Sequence, residues 1–498
     1  MIRAPVYKEL FLFRFIGGTM KYINRLVTIA VAVLMSQSIM AHEGLSDAFH
    51  AEVLGGERDA IATITLTESH VDLAHLNAMG MDIAGVNRKA NQVDVVVNDW
   101  DLERLAQEGF KVSFDKAQKL YDKGLDEEYK NPSEVEQILR ELAEANPEIA
   151  RLESIGKSSE GRDIWALKIS DNVNEDEASE SAVLFNGMHH AREVMTPEVV
   201  IDAAQWLVKN YVSGNEKAVN WVNNTEIYLV PMLNVDGNAK VWSGTRMWRK
   251  NTNYGHGVDI NRNYPYQWGS CNGSSGSTWS DTYRGPSAGS EPEAQALMGL
   301  VSKIKPVFDI SYHSYSEIVI YPMGCKGART GGNRAVVENI GASLGTLVDY
   351  EAGTAWELLY SVDGGDIDWM YGVEQVLPYV LEVNSSRQGF QPSYAQWRDV
   401  TVERVRPSWQ MLLDRMSQSG LRGNLDVENA SQWRVKVEKR DAGSLSEIID
   451  YKVNPDGSFH IVLEPGDYKV SVREEGSATR SSSDLKVGSD LLTFEPQL

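Results

Sequence analysis

The residues with the clearest capacity for chemistry are two histidines and a glutamate. His190 and Glu193 lie three positions apart in the segment HHARE, and His313 follows much later in the chain. In a tight turn or the first turn of a helix, positions i and i+3 share a face, so the first two side chains can reach one ion. Two histidines and one glutamate are a ligand set of catalytic zinc sites that keep one position open for water. These residues are therefore candidate zinc ligands.

Other interpretations of these histidines remain open on the residues alone. A His-x-x-Glu pair occurs by chance in many proteins; His190 could be a capping histidine and His313 a hydrogen-bonded core histidine. His189 competes with its neighbour, but the residue three positions after it is an arginine, which cannot bind a metal, so the spacing favours His190. A second pair, His256 and Asp259, lies in NYGHGVDINRN and is typical of an ordinary loop histidine.

The elements that must position these side chains are apolar strands. SAVLFNGMHH, PVFDISYHS and LPYVLEV are typical of buried strands, and they end at or near His190, His313 and Glu382. In open α/β sheets, ligands bind beyond the carboxyl ends of the strands. We therefore expect the three side chains at one rim of a sheet.

Alternating strands and helices over residues 129–419 predict one α/β domain with a largely parallel or mixed sheet. Its first helix, in SEVEQILRELAEA, is expected to take Ser133 as N-cap. Its closing helix, in WRDVTVERVRPSWQMLLDRM, is expected to be interrupted near Pro407. Residues 42–128 predict a small α+β module with a charged linker, and residues 420–498 predict a small all-β sandwich.

Composition excludes several classes of protein. The 498 residues carry 48 Lys and Arg against 70 Asp and Glu, a net charge of −22, which disfavours nucleic-acid binding. Two cysteines exclude a disulfide scaffold and a cysteine-rich zinc module. The acidic stretch 172–181 is typical of a solvated loop, with a weak calcium site as the alternative.

Residues 1–41 resemble a secretory signal region. Lys21 and Arg25 precede a short apolar run, and small residues lead to Ala41 as a cleavage position, with Met20 as a possible true start. An uncleaved anchor or a buried helix is the alternative. We expect a secreted or periplasmic protein with no stable membrane insertion after cleavage.

Eight segments, in order, resemble the signatures of one known family. They are GMHHAREVMTPE, NVDG, MWRKN, VDINRNYPYQWG, TYRGPSAGSEPE, ISYHSYSEIVIYP, GGDIDWMYG and YVLEV. Together they resemble the zinc metallocarboxypeptidases of the carboxypeptidase A-like family, peptidase M14, over about residues 129–417. This resemblance implies an α/β/α sandwich with a mixed central sheet. The N-terminal α+β region is similar to the family's pro-segment, and the C-terminal sandwich is similar to the transthyretin-like domains of some members.

The resemblance implies a role for each matching position. One zinc ion would be held by His190, Glu193 and His313. Glu382 would act as general base and acid, and Arg249 would polarise the scissile carbonyl. Asn261 and Arg262 would bind the substrate's terminal carboxylate, Tyr360 would close over that carboxylate, and Arg192 would contact the substrate further upstream. The chemistry suits these types, because peptide hydrolysis needs a proton acceptor, a permanent cation at the oxyanion and a bidentate partner for a carboxylate. On these residues in isolation, ordinary surface ion pairing is the favoured interpretation of Arg249 and Arg262.

The segment GGDID is expected to line the pocket for the substrate's C-terminal side chain. By the resemblance, Ile367 favours apolar side chains, whereas an adjacent Asp366 directed into the pocket would also admit basic ones. The segment VNSSRQGF departs from the family pattern and leaves the pocket edge open. Cys271 and Cys325 lie in loops beside signature segments, and a disulfide between them is one of two open outcomes.

The resulting hypothesis is a secreted zinc metallocarboxypeptidase made as a zymogen and cleaved near residues 115–130. Its partner would be a peptide or protein substrate, with the oligomeric state left open. Two alternatives are an amide hydrolase acting on murein-type peptides and a non-catalytic peptide-binding module. The pair Asn261 and Arg262 argues against the first, and the complete set of ligands and base argues against the second.

Overall fold

A computed structural model describes residues 60–114, 124–328 and 333–497. The expected signal region and the residues up to 59 lie outside these ranges. Among the described residues, no helix has both the length and the apolar character needed to cross a membrane.

The N-terminal segment forms a four-stranded antiparallel sheet with two helices, as expected for a small α+β module. The strand order is β2-β3-β1-β4, with β1 Ala60–Thr65, β2 Asp82–Asn87, β3 Gln92–Val97 and β4 Val112–Ser113. The helices are α1 Ser69–Ala78 and α2 Asp99–Gln107. Asn98 and Asp101 form a capping box at the start of α2, which satisfies backbone N–H groups that the helix leaves free.

The central sheet has eight strands and is mixed, which confirms the expected fold class. Its order is β11-β10-β12-β9-β7-β8-β6-β5. The strands are β5 Ala150–Lys157, β6 Asp163–Ile169, β7 Ser181–Gly187, β8 Thr225–Val230, β9 Phe308–Ser314, β10 Ile318–Ile320, β11 Glu351–Gly353 and β12 Leu377–Val383. Strands β8, β7, β9 and β12 are parallel neighbours, and their nearly continuous apolar sequences reflect burial on both faces. The acidic stretch 172–181 is a loop between β6 and β7, as expected.

Helices pack against this sheet and against one another. They are α3 Pro132–Ala145, α4 Met195–Val212, α5 Glu216–Val222, α6 Val235–Trp242, α7 Pro292–Ile304, α8 Arg334–Val348, α9 Ala355–Leu358, α10 Asp366–Trp369 and α11 Tyr394–Arg415, with a 3-10 turn Ile260–Arg262 and a π-helical turn Met370–Glu374. The expected N-cap Ser133 is wrong, because the Asn131 side chain accepts from the amides of Ser133 and Glu134 and Pro132 occupies the first turn.

The expected interruption near Pro407 is also wrong, since α11 continues through it. Proline leaves only the Glu403 carbonyl without its intrahelical donor. The helix is held on both sides of this point by packing: Val405, Trp409 and Leu412 are fully buried in the central core. Tertiary contacts thus outweigh the local cost of one lost hydrogen bond.

The C-terminal segment is all β, as expected. One sheet has the order β16-β13-β19 and the other has the order β15-β14-β17-β18. The strands are β13 Gly420–Asn424, β14 Trp433–Asp441, β15 Ser444–Lys452, β16 Ser458–Val462, β17 Gly466–Glu474, β18 Ser481–Val487 and β19 Leu491–Thr493, with a 3-10 turn Ala430–Gln432. A separate apolar cluster that includes Val435, Phe459 and Val470 fills this segment.

Candidate active site

His190, Glu193 and His313 converge at the carboxyl ends of β7 and β9. Their donor atoms lie within 4.8 Å of one another, and all three residues are buried. His190 Nδ1 is 2.7 Å from Glu193 Oε1, and His313 Nδ1 is 3.2 Å from Glu193 Oε2. The parallel pairing of β7 with β9 brings together residues that are far apart in the sequence.

The arrangement of ring nitrogens fits a cation. The Nδ1 atoms of His190 and His313 face each other at 3.1 Å, beside the Glu193 carboxylate. The opposite nitrogens have their own partners: His190 Nε2 is 3.3 Å from Asp259 Oδ1, and His313 Nε2 is 3.3 Å from Asn261 Nδ2. Two imidazole nitrogens and one carboxylate directed at one point are the donor set of a zinc site with outer hydrogen bonds that orient the ligands.

His189, the competing histidine, is fully buried beside this cluster. Its Nε2 lies 2.9 Å from the Tyr264 hydroxyl and 3.6 Å from Asp366 Oδ2. Burial lowers the pKa of its imidazole to about 3, so the ring is neutral. His189, Asp366 and His313 thus form a second cluster of donor atoms within 4.8 Å of one another, which shares His313 with the first.

Asp259 is a site residue that the sequence reasoning missed. It is fully buried, accepts hydrogen bonds from Arg249 Nε and Nη2 at 3.1 and 2.9 Å, and faces His190. Burial opposes its ionisation, but Arg249, Arg262 and His190 together outweigh burial and hold the pKa of Asp259 well below its usual value. The signal that could have found it is its position two residues before Asn261 within one signature segment.

Glu382 is the penultimate residue of β12 and lies directly opposite His313 in the parallel register of β12 and β9. Burial raises the pKa of its carboxyl to about 7; Glu193 adds to the rise, and His313 and Arg249 act against it. A carboxyl with a pKa near neutrality can both accept and return a proton. It lines the same cavity as the histidine cluster and Arg249.

Arg262 and Tyr360 meet on the other side of this cavity. Arg262 Nη2 is 3.4 Å from the Tyr360 hydroxyl, and Arg262 Nε donates to the Gly273 carbonyl at 3.1 Å. Asn261 holds the Asp366 amide through its Oδ1 at 2.9 Å. The 3-10 turn at residues 260–262 therefore places the asparagine toward the histidines and the arginine toward the tyrosine.

The inner end of the cavity is mostly apolar. Ile367 is 6% exposed and packs in a cluster of buried apolar side chains, Ile318, Ile320, Ala355, Leu358 and Val380. Asp366 also lines the cavity, is 1% exposed, and has neither carboxylate oxygen hydrogen-bonded. Both side chains of GGDID singled out from the sequence thus lie at the cavity.

The N-terminal sheet lies over the entrance to this cavity. Ile83, Ala84 and Gly85 of β2 are among its lining residues. Next to them, Asp82 forms a bidentate ion pair with Arg192, which is fully buried; Arg192 Nη2 is 2.7 Å from Asp82 Oδ1. Arg192 is therefore engaged by the N-terminal segment in this structure.

Cys271 and Cys325 form a disulfide, which resolves the open question about these residues. Their Cα atoms are 5.9 Å apart. The bond joins the loop after Arg262 to the loop after β10. Gly324, the residue before Cys325, lines the cavity described above.

The fold is that of an α/β protein with a candidate metal centre of buried histidines and carboxylates at the rim of its central sheet. The chain belongs to the zinc carboxypeptidase family, peptidase M14, whose sequence profile matches residues 135–406. The family match, together with the donor set, makes zinc the metal of this centre.

Similar proteins agree with this assignment. A zinc carboxypeptidase of Saccharothrix mutabilis subsp. capreolus is 36% identical over 285 residues, covering 53% of this chain and 64% of that protein. Zinc carboxypeptidase A 1 of Anopheles gambiae is 29% identical over 270 residues, covering 51% of this chain and 60% of that protein. This chain therefore matches less than two thirds of each of these relatives.

A solved structure supports the fold over a larger share of the chain. The crystal structure of carboxypeptidase A from Helicoverpa armigera superposes with a TM-score of 0.61 at 25% sequence identity. It covers 72% of this chain and 96% of the insect protein. The match extends beyond the 272 residues of the family profile.

Proposed function

We propose that this protein is a zinc-dependent carboxypeptidase that hydrolyses the C-terminal peptide bond of peptides and proteins. The observation that carries the proposal is one cavity lined by the histidine and glutamate donors, a carboxyl with a raised pKa, and two arginines. Family membership supports the same chemistry. An exopeptidase needs all three parts, because it must activate water, stabilise an oxyanion and recognise a free carboxylate.

His190, Glu193 and His313 would hold the zinc ion. When bound, zinc supplies Lewis acidity that lowers the pKa of water toward 7. Glu382 then accepts the proton of the attacking water and passes it to the leaving amine. Its raised pKa suits both transfers, because the carboxyl holds the proton briefly and releases it to a more basic nitrogen.

Two arginines would each bind one negative charge: Arg249 the oxyanion of the reaction and Arg262 the terminal carboxylate of the substrate. Arg249 carries a permanent cation beside the histidine cluster, and Asp259 fixes its guanidinium in place, so it can stabilise the oxyanion that forms from the scissile carbonyl. Arg262 and Asn261 would bind the terminal carboxylate, and Tyr360 would close over it. The 3.4 Å contact between Arg262 and the tyrosine hydroxyl supports this pairing.

We further propose a preference for apolar C-terminal side chains, with basic ones also accepted. The apolar surroundings of Ile367 support the first part. The buried Asp366 carboxylate, which lines the same cavity without a hydrogen-bond donor, supports the second. A lysine or arginine side chain would supply the missing donor.

The domain organisation and the location of the protein are parts of the same proposal. Residues 42–128 would be a pro-segment and linker, residues 129–419 the catalytic domain, and residues 420–498 an accessory sandwich. Coverage of the cavity by β2 supports a zymogen. Asp126 accepts from the Tyr394 amide and Tyr129 is fully buried, so cleavage before Asp126 would leave these contacts intact. The disulfide supports an oxidising compartment, secreted or periplasmic.

Digestion of a C-terminal peptide library tests the function and the preference together. The zinc-loaded protein, cleaved in the linker, should release single C-terminal residues, apolar ones fastest, from free but not amidated peptides. Glu382→Gln should lower kcat by about 10²–10⁴-fold while zinc remains bound. Internal cleavage, or undiminished turnover by Glu382→Gln, would contradict the proposal.

A further inference from the structure

Asp363 is a buried carboxylate close to the cavity to which the chemistry above gives no role. It is fully buried and accepts hydrogen bonds from the backbone amides of Cys271 and Gly273, each at 2.9 Å. It also accepts from the Ser274 hydroxyl. One side chain thus holds the loop 271–274 against the segment that follows Tyr360.

This loop in turn orients Arg262. The Gly273 carbonyl accepts from Arg262 Nε at 3.1 Å, and the Asn261 carbonyl accepts from Arg262 Nη1 at 2.7 Å. These two contacts direct the remaining nitrogen, Nη2, toward Tyr360. A short path of hydrogen bonds therefore joins Asp363 to Arg262 through Gly273.

The loop and the segment approach each other closely. A Cβ on Gly273 would lie 2.5 Å from the Asp363 amide nitrogen and 2.6 Å from the Ser361 carbonyl oxygen, so only glycine fits there. The disulfide ties the same loop to Cys325, and the Val362 amide donates to the Gly324 carbonyl at 3.0 Å. Three loops are thereby fixed to one another around Asp363.

We propose that Asp363 is the positioning residue for carboxylate recognition, with the disulfide as its covalent support. It holds Gly273 where its carbonyl aims the Arg262 guanidinium into the cavity, and it fixes the chain just after Tyr360. This inference rests on the proposed function, and it assigns a role to a residue that touches neither substrate nor metal.

The test compares Asp363→Ala with Asp363→Asn in the zinc-loaded, linker-cleaved protein. The alanine variant loses all three acceptor contacts, so KM for a free peptide should rise about tenfold, the equivalent of one charge-assisted hydrogen bond, with kcat within about twofold. In the asparagine variant, the remaining carbonyl oxygen can still accept from both backbone amides, and the Ser274 hydroxyl can accept from the new side-chain amide. The KM of this variant should therefore stay near that of the wild type.

Direct binding separates this role from a merely structural one. Calorimetric affinity for N-acetyl-phenylalanine, which carries the carboxylate, should fall by the same factor in Asp363→Ala. Affinity for acetohydroxamate, a metal-directed probe without a carboxylate, should not change. If Asp363→Ala does not fold, the double variant Cys271→Ser/Cys325→Ser is measured in the same way. Its affinity for the carboxylate probe should fall, and its affinity for acetohydroxamate should not change.

Asp202→Ala is the matched control, because Asp202 is a buried carboxylate that binds Arg406 bidentately, between α4 and α11. It should lower stability and leave KM unchanged. Unaltered carboxylate affinity in Asp363→Ala, or an equal loss of both probes, would overturn the positioning role. A wild type that binds the carboxylate probe but hydrolyses no peptide would instead contradict the proposed function.

Discussion

At the scale of single residues, the charges around Glu382 set the protonation state of the proposed base. Its carboxyl lies opposite His313 in the sheet, with Arg249 and Glu193 on the same cavity. Burial and Glu193 disfavour the carboxylate form, whereas the cations favour it. The residue is therefore poised between its two protonation states, as a residue that acts first as base and then as acid should be.

The pH profile should report this balance. Glu382 must be deprotonated to accept a proton, so kcat/KM should fall as pH decreases through its pKa. Burial raises that pKa from 4.5 to about 7 and a bound cation would lower it, so the acid limb should lie between about pH 4.5 and 7. Zinc content measured across the same range is the control. A rate that increases toward low pH would contradict the role.

Ile367 should decide the side-chain preference of the pocket. Ile367→Asp places a carboxylate in the apolar cluster, so kcat/KM should fall for leucine-ended peptides and rise for arginine-ended ones, changing their ratio by at least about tenfold. Ile367→Val is the matched control and should keep the apolar preference. Equal losses for both peptides would show that position 367 does not read the side chain.

At the scale of elements, β2 of the N-terminal sheet is the element that covers the cavity. Gly85 lies against Tyr315, since a Cβ there would be 2.5 Å from the tyrosine ring. The Tyr315 hydroxyl donates to Asp94 Oδ2 at 3.1 Å, and Val86 N donates to the Ser316 hydroxyl. Strands β2 and β3 therefore bind the loop that follows β9, and β9 itself carries His313.

Removing the Asp82 carboxylate should weaken this cover. Asp82→Ala leaves the Arg192 guanidinium buried without its carboxylate, a loss of about 3–5 kcal/mol in the uncleaved chain. Thermal unfolding should begin at lower temperature, and peptide hydrolysis before linker cleavage should increase. Once the N-terminal segment has been removed, the variant should be indistinguishable from the wild type.

Asp99→Ala is the control for that prediction, because Asp99 lies in the same segment but is exposed at the start of α2. It should change neither unfolding nor hydrolysis before cleavage. If Asp82→Ala unfolds and hydrolyses like the wild type, the ion pair does not hold the cover in place.

At the scale of the whole molecule, the C-terminal sandwich packs onto the central sheet through a buried histidine. His460 of β16 is 6% exposed, and its Nδ1 lies 3.0 Å from the Ser181 hydroxyl of β7. Val462 of the same strand belongs to the central core. The interface is therefore part of the apolar packing of the molecule.

This interface should weaken in acid. Burial, with Arg422 and Arg415 nearby, lowers the pKa of His460 from 6.5 to about 3. At pH values between about 3 and 6.5, this histidine is protonated in the unfolded chain and neutral in the folded one. The free energy of unfolding should therefore decrease as pH falls, and His460 should contribute about 1.4 kcal/mol per pH unit to that decrease. His460→Gln should remove that part of the slope in denaturation at pH 7 and 5. Identical slopes in the two proteins would contradict the assignment.

The sequence by itself determined the layout and most of the site. Apolar runs without interruption predicted the buried parallel strands, and strand ends carrying His190, His313 and Glu382 predicted the rim where they meet. Signature segments supplied the remaining candidates. The predicted strands and their common rim were confirmed because the apolar character of a strand and the residues at its end are local properties of the chain.

Only the tertiary structure decided which side chains act on one another. Asp259 faces His190, Asp82 binds Arg192, and Asp363 holds the loop that orients Arg262; each contact joins residues that lie far apart in the sequence. The continuous helix through Pro407 and the Cys271–Cys325 disulfide were decided in the same way. A residue's type limits what it can bind, but its partner is chosen by the packing of distant segments.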